Sequence, residues 1–288
     1  MAARTAGRRE ELREFLMARR ARVSPAEAGL PDGGRRRTPG LRREEVAVLA
    51  GVGASWYQWL EQGRDISVSP QVLDAVARVL KLRDAERRHL YVLAGLNPPL
   101  PRSEYDGDPI CDGLQRLIDA WLPFPAHIMD PYWNTVAYNE ASRLALGRGR
   151  PGVSSNCVIA YFTDPVYRSR AHSWQRNAPH IVAQYRAACS ERPGDEGFAE
   201  VVREASAASG EFTRLWARQD VTPGGQLHQE MEHPLVGTLR FESTQLRVPS
   251  RADLTVVMHN AQDDETEAKL VRLLSAEERR GELYSVAG

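Results

Sequence analysis

Residues 41–62 read Leu41-Arg-Arg-Glu-Glu-Val-Ala-Val-Leu-Ala-Gly-Val-Gly-Ala-Ser-Trp-Tyr-Gln-Trp-Leu-Glu-Gln62, which is the pattern of two short helices joined at a glycine. A helix-turn-helix needs a small residue where its helices cross, here Ala47, and a glycine at the turn, here Gly51. The apolar residues that would hold the second helix down are Val52, Tyr57 and Leu60. The spacing therefore predicts an element whose second helix reads the major groove of DNA.

The outer side of this second helix is the first candidate interface. On the same register, the residues that face outward are Ala54, Ser55, Trp56 and Trp59. Two large aromatics on such a face are compatible with contact to thymine methyl groups or sugars, and equally with packing against the first helix. The sequence leaves these two alternatives even.

Arginines on either side of the motif extend the predicted interface. Arg43, beside Arg42 at the start of the first helix, is expected to reach a phosphate or a guanine edge. Arg64, after the second helix, is expected to reach the backbone on the far side.

A basic run, Arg35-Arg36-Arg37, stands just before the motif in a segment that Pro39 and Gly40 mark as a loop. Most charge runs are solvated loops, and that alternative stands here too. Because this run adjoins a helix-turn-helix, we expect it to contact phosphates or a narrow minor groove.

The charge is divided between the two parts of the chain. The 288 residues have a formal net charge of zero, yet residues 1–95 carry 18 Lys+Arg against 12 Asp+Glu, and residues 96–288 carry 20 against 26. A basic N-terminal part followed by an acidic C-terminal part is typical of a nucleic-acid-binding domain fused to a domain with a second function.

The elements around the motif predict two domains. Helical patterns fill residues 1–95, at 10–22, 42–50, 69–80 and 84–94, with no strand pattern among them. Residues 96–109 contain four prolines and are predicted to be a linker.

Residues 110–288 show strands at 124–129 and 132–138, a helix at 139–145 and long helices at 171–190, 197–207 and 209–218. Four strand runs (226–232, 235–241, 243–248 and 253–260) and a helix at 264–274 follow, which predicts an α+β domain.

Residues 12–95 resemble the actinobacterial branch of the XRE-type helix-turn-helix regulators, the MmyB-like family. The resemblance rests on fixed spacings across these pieces: Phe15-Leu16 with Arg19-Arg20, Gly29-Leu30-Pro31, the run 35–47, Leu49-Ala-Gly-Val52, Trp56-Tyr57, Leu60-Glu-Gln-Gly-Arg64, Val72-Leu73 and Glu86-Arg-Arg-His-Leu90. It implies an all-α, lambda-repressor-like DNA-binding domain. The family usually has Ser where Gly53 stands, so this chain has a poorer N-cap there.

The resemblance continues more loosely over residues 110–275, on Pro123-Phe-Pro-Ala126, Trp133 to Asn139, Asn156 with Phe162, and His233-Pro-Leu-Val-Gly237. It implies a PAS-like ligand-binding domain with an antiparallel sheet and an effector of the fatty-acid type. The pocket candidates are Trp133, Tyr138, Phe162, Trp174, Trp216 and, as a polar anchor, Arg186 or His228. For any one of these aromatics taken alone, a place in an ordinary core is the favoured alternative.

Other chemistries find little support in the sequence. No nucleophile elbow, phosphate-binding loop or dinucleotide fingerprint occurs, so no catalytic residue is predicted. His228 and His233 are five residues apart in a strand-like run, which places them on opposite faces and argues against a metal site. Cys157 is expected to be a buried small hydrophobe. No apolar run has the length of a membrane helix and no apolar leader opens the chain, so a cytoplasmic location is expected.

These features together predict a cytoplasmic transcription regulator that binds operator DNA as a homodimer and senses a small apolar effector, with no metal or other cofactor. The family resemblance implies that this effector is fatty-acid-like. One alternative is that the C-terminal half is only a dimerisation or protein-interaction module, in which case its core should be filled. The other is an enzyme on a DNA-binding anchor, which would require a nucleophile and a base that the sequence does not reveal.

Overall fold

The computed structural model describes residues 2–31, 40–98, 109–249 and 251–286. The chain divides into two compact units, Met1–Pro101 and Arg102–Gly288. An all-helical unit followed by an α+β unit with an antiparallel sheet confirms the predicted fold class. Most of the predicted linker lies outside the described residues.

The first unit is built from helices whose ends the sequence marks clearly. They are α1 (Ala2–Arg20), a 3₁₀ turn (Ala26–Ala28), α2 (Arg43–Ala50), α3 (Ala54–Glu61), α4 (Pro70–Val79) and α5 (Asp84–Ala94). Ser69 caps α4 by accepting the Val72 N–H, and Pro70 occupies its first position, where no N–H is needed. Gly51 and Gly95 end α2 and α5 in the left-handed conformation that glycine adopts without strain.

The core of this unit collects one apolar face from each helix. Leu16 of α1, Val46 of α2, Leu60 of α3 and Leu73 of α4 are all fully buried, as is Leu90 of α5. α1 begins earlier than the predicted residue 10, because its first turns are rich in Ala and Arg, which are good helix formers.

The second unit has a five-stranded sheet in the order β2-β1-β5-β4-β3, in which every pair of neighbours is antiparallel. The strands are β1 (Ala126–Met129), β2 (Thr135–Tyr138), β3 (Leu227–His233), β4 (Gly237–Val248) and β5 (Arg251–Ala261). The predicted division into separate strands at 235–241 and 243–248, with a break near Ser243-Thr244, is wrong. Both residues pair in register with β5, so the ladder runs through them and two predicted strands are one.

Helices cover the sheet. They are α6 (Pro109–Asp119), α7 (Glu140–Leu146), α8 (Cys157–Thr163), α9 (Pro165–Arg170), α10 (Trp174–Ser190), α11 (Glu196–Ala208), α12 (Gly210–Trp216) and α13 (Asp264–Val286). α8 and α9 are one or two turns long and have no counterpart among the predicted elements. Their signals are the caps, since Asn156 accepts the N–H groups of Val158 and Ile159, and Asp164 accepts that of Val166.

The two faces of the sheet have different neighbours. Ala126 and Ile128 of β1, with Leu254 and Val256 of β5, pack with Ile118 of α6 into one cluster. Because side chains alternate along a strand, the intervening residues of β1 and β5 face the other way. On that other side lies the cavity described below.

Candidate DNA-binding face and effector cavity

The helix-turn-helix has the geometry that the sequence predicts. Gly51 closes α2 at φ 68°, and the next N–H, that of Val52, donates to the Ala47 carbonyl at 2.9 Å. Ala47 is buried, so the helices can approach closely. Gly53 precedes α3 in an extended conformation and contributes no side-chain cap.

The two faces of α3 are cleanly separated. Tyr57, Leu60 and Glu61 are buried. The exposed residues are Ala54, Ser55, Gln58, Trp59 and, just past the helix, Gln62. Sequence reasoning missed Gln58 and Gln62, although both continue the three- and four-residue spacing from Ser55. Their amides are the groups that read adenine in pairs of hydrogen bonds.

The two tryptophans have different positions. Trp56, predicted to face outward, is half-buried and packs against the helical core. Trp59 is 41% exposed, and the Arg64 guanidinium lies 6.0 Å from its ring centroid. Only Trp59 is therefore presented on the outer face. Trp56 is corrected to a packing role because it stands one turn before Leu60, on the inward flank.

A buried carboxylate ties three segments together behind the outer face. Glu61 is fully buried, and it accepts from Arg20 Nε of α1 at 2.7 Å and from Arg43 Nε of α2 at 2.7 Å. Arg20 also donates to the Leu41 carbonyl at 2.7 Å. Burial alone would raise the pKa of Glu61, but hydrogen bonds from Arg20 and Arg43 outweigh it and the net pKa is lowered.

This network modifies the role expected for Arg43. Its Nε is engaged by Glu61, while 39% of its side chain remains exposed. Replacing Arg43 would therefore disturb the fold as well as any contact with DNA. Arg42 is fully on the surface, and its backbone N–H donates to Glu45. Arg35, Arg36 and Arg37 lie outside the described residues.

Gly63 joins the end of α3 to α1. Its φ is 66°, and a Cβ added there would lie 2.5 Å from the Arg9 carbonyl oxygen. The left-handed conformation costs a non-glycine residue about 1–2 kcal/mol, and here the backbone of α1 would also have to move. We expect Gly63→Ala to lower the free energy of unfolding, measured in urea melts, by more than about 2 kcal/mol.

Gly51→Ala is the matched control for that measurement. Gly51 has φ 68° but no atom within 4 Å of an added Cβ, so it incurs the conformational cost alone. Equal losses in the two variants would contradict the close approach to Arg9.

A cavity of about 350 Å³ lies in the second unit, which is within the range of small-molecule sites. Side chains from all five strands line it, together with α8, α9 and α10. Nine consecutive residues, 147–155, form a further wall. The apolar part of the lining includes Met129, Trp133, Leu146, Ile181 and Val257.

One end of the cavity is polar and centres on Arg148. Its Nη1 donates to Cys157 Sγ at 3.1 Å and to Thr135 Oγ1 at 3.3 Å, and its Nη2 lies 3.3 Å from His127 Nε2. None of these three partners is a carboxylate. Among the described residues no carboxylate pairs with this guanidinium.

Two buried histidines complete the polar end. His127 and His259 are 2% and 3% exposed and stack with ring centroids 5.4 Å apart. Burial, reinforced by the charge of Arg148, lowers the pKa of His259 to about 3 and that of His127 well below its usual range, so both are neutral. Ser243 contacts His259 Nδ1 at 2.8 Å, whereas His127 Nδ1 and His259 Nε2 have no hydrogen-bond partner among the described residues.

The structure places the predicted pocket aromatics in two groups. Trp133 and Tyr138 line the cavity. Phe162, Trp174 and Trp216 belong instead to an aromatic core of α8–α12, in which Phe162 lies 5.7 Å from Trp174 between ring centroids. These three are corrected to packing residues. They had no signal that separated them from lining residues, since large aromatics suit both environments.

Neither predicted polar anchor lines the cavity. The Arg186 guanidinium lies 3.7 Å from the Trp216 ring centroid and donates to Gln219 at 2.7 Å. His228 is exposed and contacts Gln262. Both are corrected. The described cations that line the cavity are Arg148 and Arg150, in the glycine-rich segment 147–155, where no site residue was predicted. Arg150 pairs with Asp164, another lining residue, so Arg148 is the better candidate for holding an anion.

Cys157 also differs from its prediction. It is half-buried, lines the cavity and contacts polar groups, so it is not an inert small hydrophobe. Elsewhere, the part of the chain that the structure describes holds no group of three or more His, Cys, Asp or Glu able to bind a metal. Within those same residues, no helix has the length and apolar character to cross a bilayer.

Comparison with known proteins supplies the family. The model of the MmyB-like transcription regulator ligand-binding domain matches residues 110–274, over half of the chain, and a helix-turn-helix domain model matches residues 11–90. No curated protein matches. A solved structure described as an RNA-binding Light-Oxygen-Voltage receptor shares 12% identity over 97% of this chain and 67% of its own, but at a TM-score of 0.23 it informs neither fold nor function. The two family models cover both units, and the chain therefore belongs to the MmyB-like transcription regulators, with a DNA-binding helix-turn-helix and a ligand-binding domain.

Proposed function

We propose that the effector of this regulator is a small apolar acid of the fatty-acid type, held in the cavity of the second unit with its carboxylate at Arg148. The observation that carries this proposal is a guanidinium at one end of a largely apolar cavity, with no carboxylate partner among the described residues. A bound carboxylate would pair with it through charge-assisted hydrogen bonds. The apolar walls would take the chain of the acid.

The first unit supplies the DNA contact in this proposal. The exposed face of α3 would enter the major groove of a cytoplasmic operator, with Ser55, Gln58 and Gln62 toward base edges. Arg42, Arg64 and the exposed part of Arg43 would contact phosphates. A homodimer would place two such helices about 34 Å apart, one turn of DNA, and would read a pseudo-palindrome.

The effector would act by shifting a population of conformations. It changes DNA binding only if its affinity differs between the DNA-competent and incompetent arrangements. The alternative of a pure interaction module requires a filled core, and a cavity of about 350 Å³ argues against it. The proposal assigns no catalytic residue.

Native mass spectrometry of the purified full-length protein tests both parts of this proposal. We expect a dimer that retains a small molecule in the mass range of fatty acids, released on denaturation. An apo dimer that binds no added medium-chain acid would contradict the effector, and a monomer that stays monomeric on operator DNA would contradict the paired half-sites.

Arg148→Gln should weaken binding of a medium-chain carboxylic acid by about 10- to 100-fold, since a hydrogen bond to a charged group contributes roughly 1.5–3 kcal/mol. Isothermal titration with dodecanoic acid measures this effect. Dodecanol, which has the same chain without the charge, should bind both proteins alike.

Arg186→Gln is the matched control, because it removes the other candidate cation from outside the cavity. It should leave acid binding within about two-fold of the wild type. If Arg186→Gln weakened the acid and Arg148→Gln did not, the carboxylate would be misplaced in our proposal.

A further inference from the structure

The thiol of Cys157 lies at the polar end of the cavity, and nothing in the proposed regulatory function uses it. It is the first residue of α8, directly after the capping residue Asn156. Three side chains surround its sulfur: Arg148 Nη1 at 3.1 Å, Thr135 Oγ1 at 3.4 Å and His127 Nε2 at 4.0 Å.

The donor and acceptor roles in this group follow from Arg148. A guanidinium only donates, so the sulfur accepts from it, and His127 Nε2, facing the other terminal nitrogen, is the accepting ring nitrogen. The neutral His127 ring must then carry its hydrogen on Nδ1, which has no partner among the described residues. A buried donor of this kind is expected to be satisfied by a ligand or a water molecule.

The polar end of the cavity combines a nucleophile, the Cys157 sulfur, with hydrogen-bond donors for a ligand oxygen, Arg148 and the Nδ1–H of His127. A ligand oxygen at Arg148 would stand beside the sulfur, since the two are already in contact. An α,β-unsaturated carbonyl has this layout, because its oxygen and its electrophilic β-carbon are separated by a short conjugated unit. A saturated acid in the same cavity would have no atom for sulfur to attack.

We propose that Cys157 captures apolar α,β-unsaturated aldehydes or ketones covalently, so that the cavity is also a site for electrophilic effectors. The sulfur forms a bond to the β-carbon while the carbon–carbon π bond breaks and its electrons move onto the carbonyl oxygen. Arg148 donates to that oxygen, and the thiol proton ends on the α-carbon. The addition consumes no oxidant or other reactant, and it rests on the proposed function only in that the cavity must admit an apolar chain.

The test treats the full-length protein with (E)-2-nonenal and, as a matched probe without the conjugated double bond, with nonanal. After borohydride reduction to fix the product, intact-mass and peptide mapping should show one nonenal addition, located at Cys157, and none from nonanal at that residue. Cys157→Ser should abolish this addition. Arg148→Gln should slow it on the order of 100-fold, the usual effect of removing one donor to a developing oxyanion.

Cys189 is the internal control, because burial raises the pKa of its thiol to about 11 and it does not line the cavity. Cys189→Ser should react as the wild type does. Addition to Cys189 or Cys111 as fast as to Cys157, or a rate at Cys157 no greater than that of free N-acetylcysteine, would overturn the inference.

A parallel titration with dodecanoic acid separates this inference from the proposed function. If the acid binds and Cys157 stays unmodified, covalent capture fails and the effector proposal stands. If Cys157 is modified and the acid does not bind, capture stands and the carboxylic-acid effector fails. For a DNA duplex that the wild-type protein has enriched from a random library, we expect the affinity of the captured form to differ at least several-fold from that of the free protein.

Discussion

Arg20→Met should unfold the helix-turn-helix before any other part of the chain. The substitution leaves the fully buried Glu61 with Arg43 as its one remaining ion-pair partner among the described residues, and it removes the Arg20 donor from the Leu41 carbonyl. Breaking a buried ion pair by removing one member costs about 3–5 kcal/mol, which is a large part of the stability of a small domain. Hydrogen exchange read by mass spectrometry should show lost protection over residues 41–62 and retained protection over residues 227–261.

Arg13→Met is the matched control on the same helix. Arg13 pairs with Glu10 at the surface, where such pairs contribute about 1 kcal/mol or less. A second variant separates an unpaired charge from lost packing: Glu61→Gln in the Arg20→Met background should recover part of the protection, because an amide needs no cation. If Arg20→Met exchanged like Arg13→Met, Glu61 would not hold these helices together.

Gln58→Glu should abolish operator binding while the fold is unchanged. Gln58 is exposed in the middle of the outer face of α3, so the added charge disturbs no buried contact. In the major groove it would stand among phosphates and acceptor groups of the bases, and like-charge juxtaposition at an interface costs several kcal/mol. We expect a loss of affinity of at least about 100-fold, measured by fluorescence anisotropy on a duplex that the wild-type protein has enriched from a random library.

The same substitution at an exposed helical glutamine of the second unit, Gln175→Glu, is the control for net charge. It should leave the affinity within about three-fold of the wild type. Gln58→Ala adds a second test, because loss of a base contact should relax preference at one position of the site by about 1–3 kcal/mol. Wild-type affinity in Gln58→Glu would remove α3 from the interface.

Local signals predicted the first unit well. Gly51, Ala47 and the apolar spacing of α3 together are typical of a helix-turn-helix. The observed helices begin and end within two or three residues of the predicted bounds, except at the start of α1. The ion pairs of Glu61 could not be predicted, because its partners stand 41 and 18 residues away. A charged residue on an otherwise apolar face of α3 was the available signal.

The cavity was predictable in kind but not in its residues. Periodicity says which residues turn inward, yet it does not distinguish an aromatic that fills a core from one that borders a void, as Trp174 and Trp133 show. Arg148 lies in a loop that contains Gly147, Gly149 and Gly152, and Cys157 lies just after that loop. All three glycines have positive φ, so no strand or helix pattern in the sequence marked these two residues. Their proximity to His127 results from the packing of that loop against β2, the strand that pairs with β1.

The separation of the two faces of α3 bears on how such proteins diverge. Ser55, Gln58 and Gln62 are exposed, whereas the residues that hold the helix in place are buried. Exposed positions without structural contacts usually change stability by about 0.5 kcal/mol or less when substituted. Duplicated copies of this chain could therefore come to recognise new operator sequences through substitutions at these positions, with little loss of stability. A combinatorial library confined to the same positions would sample DNA specificity almost independently of folding.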